Sequence, residues 1–284
     1  MPLTDLVRQL NSKGHGLPAG RLASDPFVAA DGRVFGHFAN LRLESVFLPV
    51  TATGSGRVYG HAAALRVFGL TTGTPVSPDA VFVLPADDNE FVHVDRLVRT
   101  LHALNYLTHR VRGTLLLHVH RRHVMSVPAD HGLAFEEILR PCGLLPRQIT
   151  LELDADGVED NGHFARAVAN YRQRGYGIAF SRFGRTGLDF SLLRSLQPDI
   201  VKLDPLLLAS TRPLERLVDQ IHQLGSKVLV EGADRLQLRQ FGKEARIDLL
   251  QPRQPVERHP PALRSGTGRG SNVLVTGGRP HLAA

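Results

Sequence analysis

Short runs of strand-forming residues recur eight times along the chain, and this repetition constrains the fold more than any other feature of the sequence. The eight runs lie at residues 44–50, 57–66, 114–119, 149–154, 177–181, 199–203, 227–231 and 247–250. Between several of them the apolar period changes from two residues to about 3.6, as in amphipathic helices. Strands that alternate with helices are typical of parallel βα units, and eight strands can close into a barrel. We therefore predict an α/β fold with a single TIM-like (β/α)8 barrel.

Three of the intervening segments carry apolar stripes at helical spacing. The stripes are Leu97, Leu101 and Leu104; Phe164, Val168 and Tyr171; and Leu214, Leu217, Val218, Ile221 and Leu224. Gly175 follows the second stripe and Gly225 follows the third, at positions where a left-handed helix cap is expected. These glycines predict where the two helices end.

The two ends of the chain differ in composition from the segment that carries the eight runs. Residues 1–40 show little periodicity, and residues 259–284 are rich in Gly, Ser and Pro. We predict a partly flexible N-terminal extension over 1–40, the barrel over 41–258 and a flexible C-terminal tail over 259–284.

Composition bears on the cellular compartment in which this chain is expected. No uninterrupted apolar stretch approaches the roughly 18 residues of a membrane-spanning helix, so we expect no membrane insertion. The single cysteine, Cys142, cannot form an internal disulfide and has no companions at zinc-binding spacing. We therefore expect a cytoplasmic protein.

The chain is basic, with a formal net charge of +7. A basic field attracts polyanions, but the arginines are scattered and the sequence has no tryptophan to form a stacking platform for bases. We therefore do not expect nucleic acid as a partner, and the basic residues fit either a solvated surface or contact with an acidic protein.

Polar residues cluster where the predicted strands end. They are His118, His120, Glu152, Asp154, Ser181, Arg182, Lys202, Asp204, Glu231 and Gln251. TIM barrels build their functional sites at the carboxyl ends of the strands, so these side chains are expected to converge.

Several segments resemble the EAL domain family of bacterial cyclic di-GMP phosphodiesterases. The sequences ITLELD, GYGIAFSRFG, SLLRSLQPDIVKLD and KVLVEGAD match four of its segments in order and spacing, and FLPV and YGHAAALR match two earlier ones. The resemblance covers residues 43–258 and implies a barrel of the EAL type. It further implies a two-metal reaction in which carboxylates and an asparagine hold cations that activate water.

Position by position, this chain departs from the family's metal-binding set. The family's name-giving glutamate falls on Ala62, its asparagine on His118, and its two central aspartates on Ser181 and Arg182. The relic positions that remain are Glu152, Lys202 and Glu231. Losing three acidic groups and gaining one basic group repels divalent cations, so the resemblance implies a degenerate, catalytically inactive EAL domain. We expect no intact catalytic set, no metal cofactor, and loss of Mg²⁺ or Mn²⁺ binding.

The resemblance also implies a ligand-binding set, formed by Arg66, Lys202, Glu231 and Gln251. Without cations the glutamates need other counter-charges, and we expect Arg182 and Lys202 to pair with Glu152 and Glu231.

His118, His120 and His123 form a second candidate cluster. Strand alternation places the first two on one side, and with Glu152 they could hold a transition metal. Polar replacements in a degenerate pocket are the alternative.

Three functions follow from these patterns. The first is a non-catalytic signalling or regulatory domain that contacts another protein, such as a transcription factor or a signalling or motility component. The second is a receptor that binds cyclic di-GMP without cleaving it, and the third is a residual phosphodiesterase. A homodimer is compatible with each of them.

Overall fold

The computed structural model describes residues 2–12, 25–108, 113–208, 214–232 and 246–252. Its strands are β1 Phe27–Ala30, β2 Arg33–Phe38, β3 Leu41–Ala52, β4 Val58–Gly69, β5 Pro75–Val76, β6 Thr114–Val119, β7 Ile149–Asp154, β8 Gly177–Phe183, β9 Ile200–Leu203, β10 Lys227–Glu231 and β11 Leu249–Gln251. Its helices are α1 Leu3–Ser12, α2 Ala80–Val83, α3 Asp88–Thr108, α4 Arg121–Ser126, α5 Leu133–Leu139, α6 Asn161–Gln173, α7 Phe190–Leu196, α8 Pro205–Leu208 and α9 Leu214–Gln223.

Eight of these strands close into a barrel in the order β3, β11, β10, β9, β8, β7, β6 and β4, with β4 hydrogen-bonded back to β3. All eight predicted strands are present, so the predicted barrel is confirmed. The helical stripes also lie on helices, namely α3, α6 and α9, except that Leu224 of the third stripe follows the end of α9.

One barrel strand runs against the others. Strand β3 is antiparallel to both of its neighbours, β4 and β11, whereas the remaining barrel pairs are parallel. The expectation of parallel βα units is wrong for this first connection, because only residues 53–57 join β3 to β4. Five residues suffice for a hairpin but not for a helical crossover.

The N-terminal residues contain structure that the sequence pattern did not indicate. Strand β1 pairs with β2, and β2 pairs with the start of β3, so the sheet extends beyond the barrel. Helix α1 buries Leu6, Val7 and Leu10. Residues 13–24 and the predicted tail over 259–284 lie outside the described residues, as do 253–258 at the predicted end of the barrel.

The core has two parts. A large cluster packs the sheet against the surrounding helices, and a smaller one fills the inside of the barrel. The inner cluster consists of Val50, Ala62, Leu116, Ala179, Ile200, Leu229 and Leu249. No helix in the described parts of the chain combines the length and apolar character needed to cross a membrane.

Candidate functional site

A cavity of about 260 Å³ opens at the carboxyl ends of the parallel barrel strands. The polar residues that line it are Asp79, His118, His120, Glu152, Ser181, Arg182, Lys202, Asp204 and Glu231. The parallel registers explain this convergence, because His118 is aligned with Glu152 on neighbouring strands. Eight of the ten predicted polar residues therefore line one cavity at the expected end of the barrel, whereas Asp154 and Gln251 are not among its lining residues.

Lys202 lies between two glutamates. Its Nζ is 3.1 Å from Glu152 Oε1 and 2.7 Å from Glu231 Oε2. Burial favours the neutral amine, but the two carboxylates outweigh it and raise the pKa of Lys202. Burial likewise favours a protonated Glu152, but Lys202 and the nearby His118 lower the pKa of this carboxyl. The expected pairing of Lys202 with both glutamates is therefore present.

Arg182 does not join this group, and the prediction that it pairs with Glu152 or Glu231 is wrong. Its guanidinium is half exposed and lies 3.3 Å from Asp154 Oδ2. The reason is local: β8 changes register between Phe180 and Phe183, and Arg182 adopts a left-handed backbone with φ of 56°. Preceding it, Ser181 is buried and donates to the Leu153 carbonyl at 3.3 Å.

Ala62 does not line the cavity but belongs to the apolar cluster inside the barrel. Its methyl group offers no ligand atom, and its neighbours in that cluster are apolar as well. The groups around the cavity that could bind a metal ion are the carboxylates of Asp79, Glu152, Asp204 and Glu231 and the imidazoles of His118 and His120. An ammonium group lies within hydrogen-bond distance of both relic carboxylates.

The three histidines of the predicted cluster are not brought together. His118 and His120 line the cavity with ring centroids 6.0 Å apart. His123 instead lies in a buried group with Asp95 and Arg99, and its Nδ1 is 3.1 Å from Asp95 Oδ2. Within the described ranges, no group of three or more His, Cys, Asp or Glu side chains is placed to hold a metal ion.

That buried group supports the cavity wall from behind. Arg99 donates to Asp95 Oδ2 at 2.9 Å, and the backbone N–H of His120 donates to Asp95 Oδ1 at 3.2 Å. Burial, together with the Arg99 charge, lowers the pKa of His123 to about 3, so this histidine is neutral at pH 7. Asp95 and Arg99, one helical turn apart in α3, were missed by the sequence analysis, although their spacing suits an ion pair.

The four predicted ligand-binding residues divide between two places. Glu231 and Gln251 are aligned on neighbouring strands, and Lys202 contacts Glu231. Arg66 instead lines a second cavity of about 360 Å³, together with Glu44. It lies four residues beyond Ala62 on β4, which continues past the barrel to pair with β5.

Four residues of the cavity wall were not predicted, namely Asp79, Phe82, Leu203 and Pro205. Asp79 and Phe82, at the beginning of α2 and within it, line the cavity opposite the strand ends. The only sequence signal is the turn-forming Ser77-Pro78-Asp79, which marks a helix start but not its position in space.

A protein family model and several solved structures are similar to this chain. A family model described as EAL domain matches residues 33–251. A search of curated proteins found no similar sequence.

Solved structures share the fold. The protein BlrP1 from Klebsiella pneumoniae, in a manganese and cyclic di-GMP complex, is 21% identical with a TM-score of 0.62 over 74% of this chain and 54% of its own. The YkuI protein from Bacillus subtilis, in complex with cyclic di-GMP and calcium, is 18% identical with a TM-score of 0.63 over the same shares. A standalone EAL protein from Vibrio cholerae O395, in its cyclic di-GMP bound form, is 21% identical with a TM-score of 0.62 over 74% of this chain and 89% of its own. The chain thus spans just over half the length of the first two proteins.

Proposed function

Because this chain belongs to the EAL domain family of cyclic di-GMP phosphodiesterases, we propose that it is a non-catalytic member that regulates another protein by direct contact. The observation that carries this proposal is the place of Ala62, which stands at the position of the family's name-giving glutamate and packs among apolar side chains inside the barrel. A methyl group supplies no ligand atom, so the carboxylate set on which two-metal hydrolysis depends is incomplete.

The positions that differ from the family's metal-binding set support the same proposal. Ala62 lies among apolar side chains, and Arg182 pairs with Asp154. His118 offers a nitrogen ligand, which suits Mg²⁺ poorly. We therefore propose that Mg²⁺ and Mn²⁺ are not bound in the manner of the catalytic members.

The formal charge of the cavity favours the regulatory function over a receptor for cyclic di-GMP. Four carboxylates and two permanent cations line the cavity, which gives it a formal charge of −2 when the histidines are neutral. The carboxylates are Asp79, Glu152, Asp204 and Glu231, and the cations are Arg182 and Lys202. Burial lowers the pKa of His120, which favours its neutral form. The two phosphates of cyclic di-GMP are repelled by such a cavity unless cations intervene.

The receptor remains the second candidate because Lys202, Glu231 and Gln251 are adjacent, as the family resemblance predicted. Residual hydrolysis is the third. For the leading proposal, the partner class is a transcription factor or a signalling or motility component.

We place this contact in the cytoplasm. Cys142 is free and buried, and burial raises the pKa of its thiol to about 11, which suits an unreactive thiol in a reducing compartment.

Calorimetric titration of the full chain with cyclic di-GMP, with and without Mn²⁺, tests the proposal. We expect no binding heat up to about 1 mM nucleotide, a concentration that would reveal even weak complexes. The Vibrio cholerae standalone EAL protein, solved in its cyclic di-GMP bound form, is the positive control. Micromolar binding without cleavage would establish the receptor instead.

A further inference from the structure

Two histidines share one backbone oxygen at the end of α4. His131 Nε2 and His163 Nε2 lie 2.9 Å and 3.0 Å from the Val124 carbonyl oxygen. Both nitrogens carry a proton and donate it, because a carbonyl oxygen only accepts. The two imidazoles are also in ring contact, with centroids 5.3 Å apart. Since His163 belongs to α6 and His131 precedes α5, the two bonds tie the end of α4 to both neighbours.

Burial makes this arrangement sensitive to acid at His131. The side chain is 2% exposed, and its second ring nitrogen, Nδ1, has no hydrogen-bond partner in the described part of the chain. Protonation adds an N–H at Nδ1, which is costly to bury without an acceptor, and it places a charge beside His163. A ring that turns to present this N–H to water breaks its bond to Val124.

Charged and titratable groups of α3, α4, α5, α6 and the segments beside them surround the pair. They are Arg96, Arg99, His123, Asp130, Glu136, Asp160, Arg166, Tyr171, Arg174 and Tyr176. Arg174 donates to the His131 carbonyl at 3.2 Å. Burial outweighs the Val124 carbonyl and the Asp130 charge, so the pKa of His131 is lowered from its ordinary value of 6.5. The folded protein therefore favours the neutral imidazole.

Helix α4 connects this pair to the cavity at the barrel mouth. The helix has six residues, and its N-cap His120 lines that cavity. The His120 ring contacts Phe82 and Phe91, with centroids 5.5 Å and 4.9 Å away. Because α4 has fewer than two turns, a displacement of its end also displaces the cavity wall at its start.

We propose that His131 and His163 form an acid-sensitive latch, which holds the end of α4 at neutral pH and releases it when His131 is protonated. The inference goes beyond the proposed regulatory function and does not rest on it, because it concerns the cavity wall and not an occupant. The latch stabilises the fold fully above pH 6.5, and this contribution is lost as the pH falls, since the unfolded chain then binds more protons than the folded one.

NMR spectra of the full chain, recorded from neutral pH down to the acid unfolding transition, test the latch. The backbone amides of Met125 and Ser126 are the reporters, because they lie at the end of α4 away from His120. We expect both to shift and to lose protection against hydrogen exchange with the same midpoint as the His131 ring. Reporters that keep their protection while this ring titrates would overturn the inference, as would a His131 ring that stays neutral until the whole protein unfolds.

His131→Gln removes the titrating group and keeps a side-chain N–H for the Val124 carbonyl. This variant should abolish the change at the two reporters. His222→Gln, at a histidine that contacts Asp248 beside α9, is the matched control and should leave the change as in the parent protein. A change that persists in His131→Gln would contradict the latch.

His163→Gln keeps the test decisive even where the substitution of the buried His131 unfolds the protein. It removes the charge beside His131, so protonation of His131 becomes easier and the midpoint at the reporters should move to higher pH. The expected shift is about half a pH unit, the effect in water of one unit charge at the 5.3 Å between the rings. An unchanged midpoint would show that the two imidazoles do not act together and would refute the proposal.

Discussion

At the scale of single residues, Lys202 contributes a positive charge 2.7 Å from one glutamate and 3.1 Å from another. The lowered pKa of Glu152 means that its contribution to stability is present above its ordinary value of 4.5 and is lost as the pH falls. The raised pKa of Lys202 means that its contribution is complete below 10.5 and is lost as the pH rises beyond it. Between these limits the buried pair stabilises the fold.

Replacing Lys202 with methionine should lower the free energy of unfolding by about 3 kcal/mol at pH 7, because the buried Glu152 loses its counter-charge. The difference from the parent protein should shrink near pH 4, where Glu152 in the variant becomes protonated. Urea denaturation at both pH values measures this difference in the free energy of unfolding. Lys227→Met, at an exposed lysine over the Tyr59 ring, is the control and should cost less than about 1 kcal/mol.

The pairing of Lys202 with both glutamates was predictable because buried carboxylates without metal ions require a counter-charge. The outward direction of Arg182 was not predictable, because it depends on a register shift and a left-handed backbone in β8. No local residue pattern marks that shift.

At the scale of elements, the eight barrel strands were predictable because each is a short apolar run. Strand β2 escaped detection because one of its inward positions is Gly36, which interrupts the apolar alternation of Val34 and Phe38. A Cβ at Gly36 would lie 3.1 Å from Leu101 Cδ2, which is a tight contact with α3 that a small residue avoids. The apolar runs also did not indicate the pairing direction of β3, which is antiparallel to its neighbours because a short hairpin turn joins it to β4.

Strands β4 and β6 approach so closely at Gly60 that a Cβ there would lie 2.3 Å from the Thr114 carbonyl oxygen. Gly60→Ala should therefore force these strands apart and destabilise the protein by about 2 kcal/mol or more. Gly54→Ala in the β3–β4 turn is the control, because a Cβ there meets no heavy atom of the described chain within 4 Å. Thermal and urea unfolding compare the two, and equal effects would contradict the close approach.

The buried pair of Asp95 and Arg99 lies within α3, and it is linked to the start of α4 because the backbone N–H of His120 donates to Asp95 Oδ1. Asp95→Asn should cost about 3 kcal/mol because Arg99 keeps a buried charge without a carboxylate. Asp88→Asn, in the same helix, removes an exposed pair with Arg122 and should cost less than about 1 kcal/mol. Similar losses in the two variants would show that the buried pair has no special weight.

At the scale of the whole molecule, eight strands close into a barrel, and acidic, basic and imidazole side chains line the cavity at the carboxyl ends of its parallel strands. The family resemblance identified the relic positions in advance, but the placement of Arg66 in a second cavity required the structure. Arg66 lies on β4 directly before the part of this strand that pairs with β5, a position that the apolar runs of the sequence did not indicate.

The melting temperature tests this account on the intact protein. Since a ligand of the folded state stabilises by RT ln(1 + [L]/Kd), even weak binding raises the melting temperature at high ligand concentration. We expect no change with Mg²⁺, Mn²⁺ or cyclic di-GMP, alone or together. An upward shift that needs both metal and nucleotide would indicate an assembled two-metal site.

The central claim, that this EAL domain does not cleave cyclic di-GMP, is tested most directly by chromatography of the nucleotide after long incubation with the purified full chain and Mn²⁺ or Mg²⁺. The account predicts that cyclic di-GMP remains intact and that no linear dinucleotide forms beyond the level found without protein. Linear product that rises in proportion to protein concentration, and that disappears in a Glu152→Gln variant, would contradict it.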